Sequence, residues 1–425
     1  MKKTTLDTQL IKLKMPVEKL ALGMYVTELD RPWLESPFLF QGFFLTTDKH
    51  ISLVQESCDH VYIDTTRIID KEVKFLQEEK RKDIVYPAPP KKTSTFCDEI
   101  AQADKIFSKT SHLIQGFLKN IKVNQRLDIE EAKKAVDQVV HSVIKTPDAL
   151  MWLTQLKNKD EYTSQHSMNV CVLSVALGRH IGLSEKELKE LGLCGMLHDM
   201  GKMLIPNKIL NKPGKLEGKE IKIMKYHTVL GLKILKKSKG RVPLSVINVA
   251  YSHHERVDGK GYPQGVGQDK LTRATRIVAI TDMYDALTSD RVYSKGCSHL
   301  EAIDIMTKMS GKHLDYALVL KFIECLSVYP PGSIVELTND EIAIVVDVNQ
   351  DEKLRPKIIL LLGADKQPKK EKLIDLSNRD EDIGGEIYTI KRTVRAVDFG
   401  IDIMKFYNSG VILKGFSGLK SRVKR

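Results

Sequence analysis

Twelve histidines occur in this 425-residue chain. Five of them, His166, His198, His227, His253 and His254, fall on the apolar stripes of successive segments with helical spacing. His166 shares a stripe with Val170, Leu173 and Leu177, at i, i+4, i+7 and i+11. Ser184-Glu185-Lys186-Glu187 has the form of a capping box and opens the next helix. Its stripe of Leu188, Leu191 and Gly195 arrives at His198, which Asp199 follows at once. A third helix, after Pro213-Gly214, carries Glu220, Met224, His227 and Gly231 on one side. A fourth, after Pro243, presents Val246 and Val249 or Ala250, then His253-His254. A fifth presents Val278, Asp282 and Asp285 within otherwise apolar sequence.

One histidine on an apolar face is usually a core residue with its hydrogen bonds satisfied. Five, with two aspartates, on the inner faces of five successive helices call for a common explanation. Left without partners, such groups would each cost roughly 1–3 kcal/mol to bury. A shared metal site removes that cost, because every group gives a lone pair to a cation. Asp199 has a special place in such a site, since the two oxygens of a carboxylate can bridge two metals. Imidazoles with carboxylates suit iron, manganese or zinc better than magnesium or calcium, which prefer all-oxygen shells. The absence of cysteine among the candidate ligands argues against a structural zinc.

Several short motifs accompany these residues in order. They are Tyr162-Thr163-Ser164-Gln165-His166-Ser167, His198-Asp199 with Gly201-Lys202, His253-His254-Glu255, Asp258-Gly259-Lys260-Gly261-Tyr262-Pro263 and Asp285-Ala286-Leu287-Thr288-Ser289-Asp290-Arg291. Over residues 145–328 the chain thereby resembles the HD-GYP subgroup of the HD-domain phosphohydrolases. The resemblance implies an all-helical domain around two divalent metals, iron or manganese. One would be held by His166, His198 and Asp282, the other by His227, His253 and His254, with Asp199 bridging. Some relatives hold a third metal through a glutamate four residues before the first histidine; Tyr162 stands there in this chain, which favours two. The resemblance also implies that Lys202 contacts the scissile phosphate and that Tyr262 helps to bind substrate. It gives Arg291 a second phosphate or a guanine, assisted by Lys295. The plainer alternatives are a surface ion pair for Arg291 and loop packing for Tyr262.

The chemistry follows from these parts. A hydroxide between two metals is a nucleophile at neutral pH. The metals and Lys202 would neutralise charge that builds on the phosphoryl oxygens. Asp285, one turn from Asp282, would orient its neighbours. The glycine-rich run from Gly259 to Gly267 lets backbone approach a flat dinucleotide closely. The expected activity is a phosphodiesterase that opens cyclic di-GMP to pGpG, or further to GMP. Alternatives are 3′,3′-cyclic GMP-AMP as substrate, a catalytically silent signalling module, and another HD-type hydrolase of mononucleotides.

These elements sit in a multidomain α+β chain. Residues 1–90 read as a small, mostly β domain and a linker, with Ile51–Asp64 forming a helix and then a strand. The charged run Glu78–Asp83 and the Pro87–Lys92 segment mark the linker. Residues 91–144 read as a helical connector, 145–328 as the helical bundle, and 329–425 as a small β domain. In the last, Ser333–Leu337 and Ile342–Val346 form a hairpin around Asn339-Asp340, and Lys357–Leu362 adds a third strand. Trp33, Phe38, Phe40, Phe43 and Phe44 read as core packing or as a surface for a second copy or a signalling partner. No apolar run is long enough to span a membrane and no secretory signal is evident. Six scattered cysteines without a CxxC pair fit a reducing compartment, and the expected location is the cytoplasm. The net charge of +12 serves solubility or attracts a polyanion. No nucleic-acid-binding signature supports duplex binding.

Overall fold

The computed structural model describes residues 12–22, 24–31, 43–45, 48–64, 86–87, 90–91, 93–94, 96–124, 127–155, 162–290, 295–349, 352 and 354–403. The chain divides into two units, Met1–Tyr86 and Pro87–Arg425.

In the first unit, strands β1 (Lys12–Pro16), β2 (Tyr25–Leu29), β3 (Phe43–Phe44) and β4 (His60–Asp64) form an antiparallel sheet in the order β1-β4-β2-β3. Helix α1 (Asp48–Ser57) precedes β4, so the helix-then-strand reading of Ile51–Asp64 holds. Alternation along β4 places Val61 and Ile63 on one face, and a register shift between Val26 and Glu28 in β2 brings Val26 and Leu29 into the same core with Leu45 and Val54. Phe43 and Phe44 pair with Val26 and Tyr25. Trp33, Phe38 and Phe40 lie outside the described residues, as does the charged run Glu78–Asp83.

The second unit is a helical bundle followed by a sheet. Its helices are α2 (Phe96–Asn124), α3 (Ile129–Lys145), α4 (Pro147–Leu153), α5 (Tyr162–His180), α6 (Glu185–Leu197), α7 (Asn207–Leu210), α8 (Lys219–Lys225), α9 (His227–Lys237), α10 (Leu244–Ser252), α11 (Arg273–Thr288), α12 (His299–Met309) and α13 (Tyr316–Leu326). Helix α5 runs through the middle, with every residue from His166 to Arg179 buried. It is apolar nearly all round, as a central helix must be. The Arg179 guanidinium at its end donates to the carbonyls of Ile144, Pro90 and Lys91. The expected capping box opens α6, with Ser184 and Glu187 bonding each other's backbone. Helix α6 comes so close to α5 that a β-carbon on Gly195 would lie 2.8 Å from the Val170 carbonyl oxygen.

One helical expectation fails. The single helix expected to carry Glu220, Met224, His227 and Gly231 is two helices, α8 and α9, broken at Tyr226. Glu220, in the first turn of α8, pairs with Lys212 at 2.6 Å and is not among the groups that surround Asp199. The cause is tertiary packing. A 3-10 turn, Met200–Leu204, presses on the start of α9. A β-carbon on Gly201 would sit 1.9 Å from the His227 carbonyl oxygen and 2.5 Å from the Gly231 nitrogen.

The C-terminal sheet has five strands, not the three expected. Strands β5 (Ile334–Leu337), β6 (Ile342–Asp347), β7 (Lys357–Leu362), β8 (Pro368–Asp375) and β9 (Ile390–Val394) run in the order β8-β7-β6-β5-β9. The hairpin pairs Ile334 with Ile344 and Glu336 with Ile342. The two strands that went unread, β8 and β9, are the two edges. Edge strands carry charge that blunts further pairing, and Pro368-Lys369-Lys370-Glu371-Lys372 reads as loop for that reason. Glu336, buried on β5, is neutralised by Lys366 at 2.8 Å and Arg392 at 2.7 Å.

Gly201 tests how this packing serves the cluster. Gly201→Ala should destabilise the protein by about 1–3 kcal/mol through overpacking and weaken metal retention, because the displaced turn carries Asp199 with it. Thermal melts and metal analysis of the variant check both effects.

Candidate metal centre

The sequence motifs converge at helix ends. His198 directly follows α6, His253 directly follows α10, and His227 is the first residue of α9. Each of these imidazoles turns back onto a carbonyl of the helical turn before it. His198 Nδ1 meets the Gly195 oxygen at 2.8 Å, His227 Nδ1 the Met224 oxygen at 2.7 Å, and His253 Nδ1 the Val249 oxygen at 3.1 Å. A carbonyl only accepts, so Nδ1 carries the proton and Nε2 presents its lone pair. His166, within α5, uses a carboxylate for the same purpose: its Nδ1 lies 2.7 Å from Asp285 Oδ2. Asp285 is held in turn by Asn169, whose Nδ2 donates to Oδ1 at 2.8 Å.

The four Nε2 atoms close on Asp199. His166 Nε2 lies 3.4 Å and His198 Nε2 3.3 Å from Asp199 Oδ2. On the other oxygen, Oδ1, His227 Nε2 lies at 3.4 Å and His253 Nε2 at 3.6 Å. Asp282 Oδ1 sits 3.2 Å from His166 Nε2 and 3.8 Å from His198 Nε2, and its Oδ2 is 4.0 Å from His254 Nδ1. The carboxylate of Asp199 therefore divides the histidines into two pairs, one on each oxygen.

Electrostatics hold these groups in the forms that bind a cation. Burial alone would raise the pKa of Asp199, but the Lys202 ammonium resting on it holds it well below the usual carboxylate range. Burial pushes His227 down to about 3. It also pushes His254 well below the usual imidazole value, with the neighbouring His253 adding to the effect.

The donor set fits a metal. His198 Nε2 and Asp199 Oδ1 are buried and have no hydrogen-bond partner within the protein, a condition that costs roughly 1–3 kcal/mol per group and that a cation relieves. Donor atoms of Asp199, His227, His253 and His254 lie within 4.8 Å of one another, as do those of His166, His198 and Asp199 and those of His198, His253 and Asp282.

Comparison with known proteins places this geometry. A family model for the HD domain matches residues 151–318, one for a domain of unknown function, DUF3391, matches 12–132, and one for a KOW domain associated with HD domain matches 334–381. The cyclic di-GMP phosphodiesterase PA4108 of Pseudomonas aeruginosa is 34% identical over 368 residues, which cover 85% of this chain and 88% of that protein. The chain belongs to the HD-GYP family of phosphodiesterases. The 3′3′-cGAMP-specific phosphodiesterase 2 of Vibrio cholerae is 30% identical over 278 residues, 64% of this chain and 49% of that protein. Among solved structures, an HDG"Y"P protein from Bdellovibrio bacteriovorus aligns with a TM-score of 0.46 at 17% identity, over 74% of this chain and 99% of that one.

The Gly-Tyr-Pro loop of this HD-GYP chain is organised by Glu255. Its buried carboxylate accepts from the backbone nitrogens of Gln264 at 2.6 Å, Gly265 at 3.1 Å and Val266 at 3.1 Å. Tyr262 N donates to the His254 carbonyl, and its ring centroid lies 4.8 Å from that of His254. Lys225 Nζ stands 4.8 Å from the centroid of the Tyr262 ring. Burial, with the charges of Asp199 and Asp282, raises the Tyr262 phenol, which keeps it a hydrogen-bond donor. Lys202 Nζ hydrogen-bonds Asp199 Oδ2. Lys295 is exposed and has no contact with the cluster among the described residues; Arg291 lies outside them. Sequence reasoning overlooked Asn169, Glu255 and Lys225. Asn169 stands at i+3 from His166, on its face, and Glu255 adjoins the histidine pair, so both were within reach of spacing arguments.

Asp285 accepts at both oxygens, which an amide cannot do. Asp285→Asn should leave one donor facing another and lower metal affinity by roughly 10–100-fold, read by competition with a chelator. A pH dependence also follows. With His227 at about 3 when folded and 6.5 as its ordinary value, the unfolded chain takes up a proton that the folded chain refuses. Stability of the metal-free protein should therefore fall as pH drops from 6.5 towards 3, by up to about 1.4 kcal/mol per pH unit from this group. Urea denaturation of chelator-stripped protein between pH 7.5 and 5 should show that slope, and a shallower one in His227→Gln.

Proposed function

We propose that this chain hydrolyses cyclic di-GMP to linear pGpG in the cytoplasm, using two divalent cations, iron or manganese. The observation that carries the reading is the Asp199 carboxylate set between two pairs of imidazoles whose lone pairs all face it. His166, His198 and Asp282 would hold one cation and His227, His253 and His254 the other, with Asp199 shared. Bound there, the cations would lower the pKa of a water and withdraw charge from phosphoryl oxygens. The similarity to PA4108, extending over 88% of that protein, supports the substrate class.

The chain's own residues supply the rest. Lys202 is partly exposed, its side chain retaining 23% accessibility while its ammonium rests on Asp199. From there it can turn to a phosphate oxygen and neutralise charge as the bond to the leaving oxygen lengthens. The protonated Tyr262 offers a donor at the mouth, and Glu255 holds the loop that carries it. Asp285 and the three carbonyl-bonded imidazoles fix the donors before substrate arrives, so little reorganisation accompanies the reaction. Arg291 and Lys295 are assigned to the second phosphate or a guanine. 3′,3′-Cyclic GMP-AMP stands as the second substrate, favoured by the similarity to the Vibrio cholerae enzyme.

Protein purified anaerobically should carry about two iron or manganese ions per chain and release pGpG from cyclic di-GMP. Asp199→Ala should lose metal and lower turnover by roughly a thousandfold or more. Assays of both cyclic dinucleotides, with metal analysis, decide the matter: metal without turnover on either would leave a silent module, and a preference for mononucleotides would mean a different hydrolase.

A further inference from the structure

Helices α2 and α3 pack side by side, and Glu99 near the start of α2 pairs with Lys145 at the end of α3 at 3.2 Å. Between them lies a groove of about 370 Å³, within the range of about 300–1,000 Å³ common for small-ligand sites. Gln102, Lys105 and Lys109 line it from α2, and Gln138, Ser142 and Lys145 from α3. No residue of the Asp199 cluster reaches it. The α3 wall falls between the family matches at 12–132 and 151–318, so neither description gives it a task.

The groove is cationic. Its walls hold one carboxylate, Glu99, and Lys145 is already on it. Asp137 and Glu185, close to His141 at the rim, are taken up by Lys189 at 2.5 and 2.7 Å. Lys105 and Lys109 remain, and no carboxylate pairs with either among the described residues. They stand four positions apart on one helix, so their ammoniums share a face and repel each other until an anion lies between them. Ser142 supplies an independent sign. It is 3% exposed, and its Oγ has no hydrogen-bond partner within the protein. A buried helical serine ordinarily bonds a carbonyl of the preceding turn, as Ser252 does with Asn248. The Ser142 hydroxyl is instead left over in the wall of the groove.

We propose that the groove between α2 and α3 is a second ligand site, which takes a nucleotide bearing a terminal phosphate monoester. Such a phosphate carries about −1.5 to −2 charges at pH 7, a match for the two free ammoniums, and its oxygens accept from the Ser142 hydroxyl as well. A phosphodiester carries a single charge and meets the same lysines less well, which sets this ligand apart from a cyclic dinucleotide. A phosphate ion alone would fill little of the groove. The amides of Gln102 and Gln138 each offer two donors and an acceptor, which suit the edge of a base or a ribose. The site stands whether or not the Asp199 cluster cleaves cyclic dinucleotides.

Calorimetric titration of the metal-loaded protein with GMP, AMP, guanosine and inorganic phosphate tests the site. The wild type is compared with a Lys105→Gln/Lys109→Gln double variant and with Ser142→Ala. The metal centre can itself hold a phosphate, so the variants carry the decision, since none of them alters a residue of that centre. Metal content and melting temperature should match the wild type in both. At least one of the two nucleotides should bind at a site whose Kd rises about tenfold or more in the double variant and about fivefold in Ser142→Ala. Guanosine, without the phosphate, and inorganic phosphate, without the rest, should each bind that site about tenfold more weakly than the nucleotide. Nucleotide binding that ignores the loss of Lys105 and Lys109, or no nucleotide binding at all, overturns the proposal. Guanosine binding as tightly as the nucleotide overturns the phosphate assignment, and inorganic phosphate binding as tightly overturns the nucleotide assignment.

Discussion

The constraint on which the bundle depends is the buried negative charge at Asp199. Three carboxylates, Asp199, Asp282 and Asp285, lie in one helical core with a single ammonium, Lys202, in bonding contact with one of them. Buried charge without compensation is among the most destabilising features a fold can carry. The imidazoles around it give only lone pairs on the side that faces Asp199, because their protons are committed to carbonyls and to Asp285. The cluster is therefore complete only with cations, and metal binding and folding stability are linked. The price of keeping the site open for cations is a core that tolerates little error in placement.

That tolerance explains where the ligands sit. Mid-helix imidazoles on the surface bond their own i−4 carbonyl, as His112 does with Ser108 and His141 with Asp137, whereas the buried His166 takes its acceptor from another element, Asp285. A histidine at a helix end finds one in its own last turn. His198, His227 and His253 all use carbonyls of the helical turn before them, directly after Leu197, Tyr226 and Ser252. Glycine completes the arrangement. Gly195 lets α6 approach α5 and Gly201 lets the turn after Asp199 meet α9, so two ligand pairs on separate helices reach opposite oxygens of one carboxylate.

Much of this was legible in the sequence because the chemistry-bearing residues recur at helical spacing and the motifs fall in a set order. Spacing located the histidines and aspartates on inner faces, and the capping box at Ser184 fixed the start of α6. The break at Tyr226 was not legible. Nothing in Lys219–Lys237 forbids a continuous helix; the interruption comes from Gly201, eighteen or more positions upstream, and local propensity cannot see such a contact. The edge strands β8 and β9 escaped for the opposite reason, since their charge serves to prevent further pairing and hides their pairing within the sheet. Glu255 read as part of a motif, but its capture of three backbone nitrogens depends on a loop closing over it, which is a long-range event.

The chain's charge gains meaning from the same geometry. From Lys202 to Arg241 there are twelve Lys and Arg residues against Glu217 and Glu220, an excess of ten in a chain whose total is +12. The basic surplus is thus concentrated in the segment that runs from the Asp199 turn through α9. Lys202 and Lys225 lie at its inner border, one on Asp199 and the other over Tyr262. Solubility alone would be served by charge spread anywhere on the surface. Charge gathered beside the metal centre gives a field that favours anions, and its reach of about 8 Å at physiological ionic strength exceeds the 4.8 Å from Lys225 Nζ to the Tyr262 ring. A substrate with two phosphodiesters is doubly negative, so the segment that positions Asp199 and His227 also biases which molecules arrive at them.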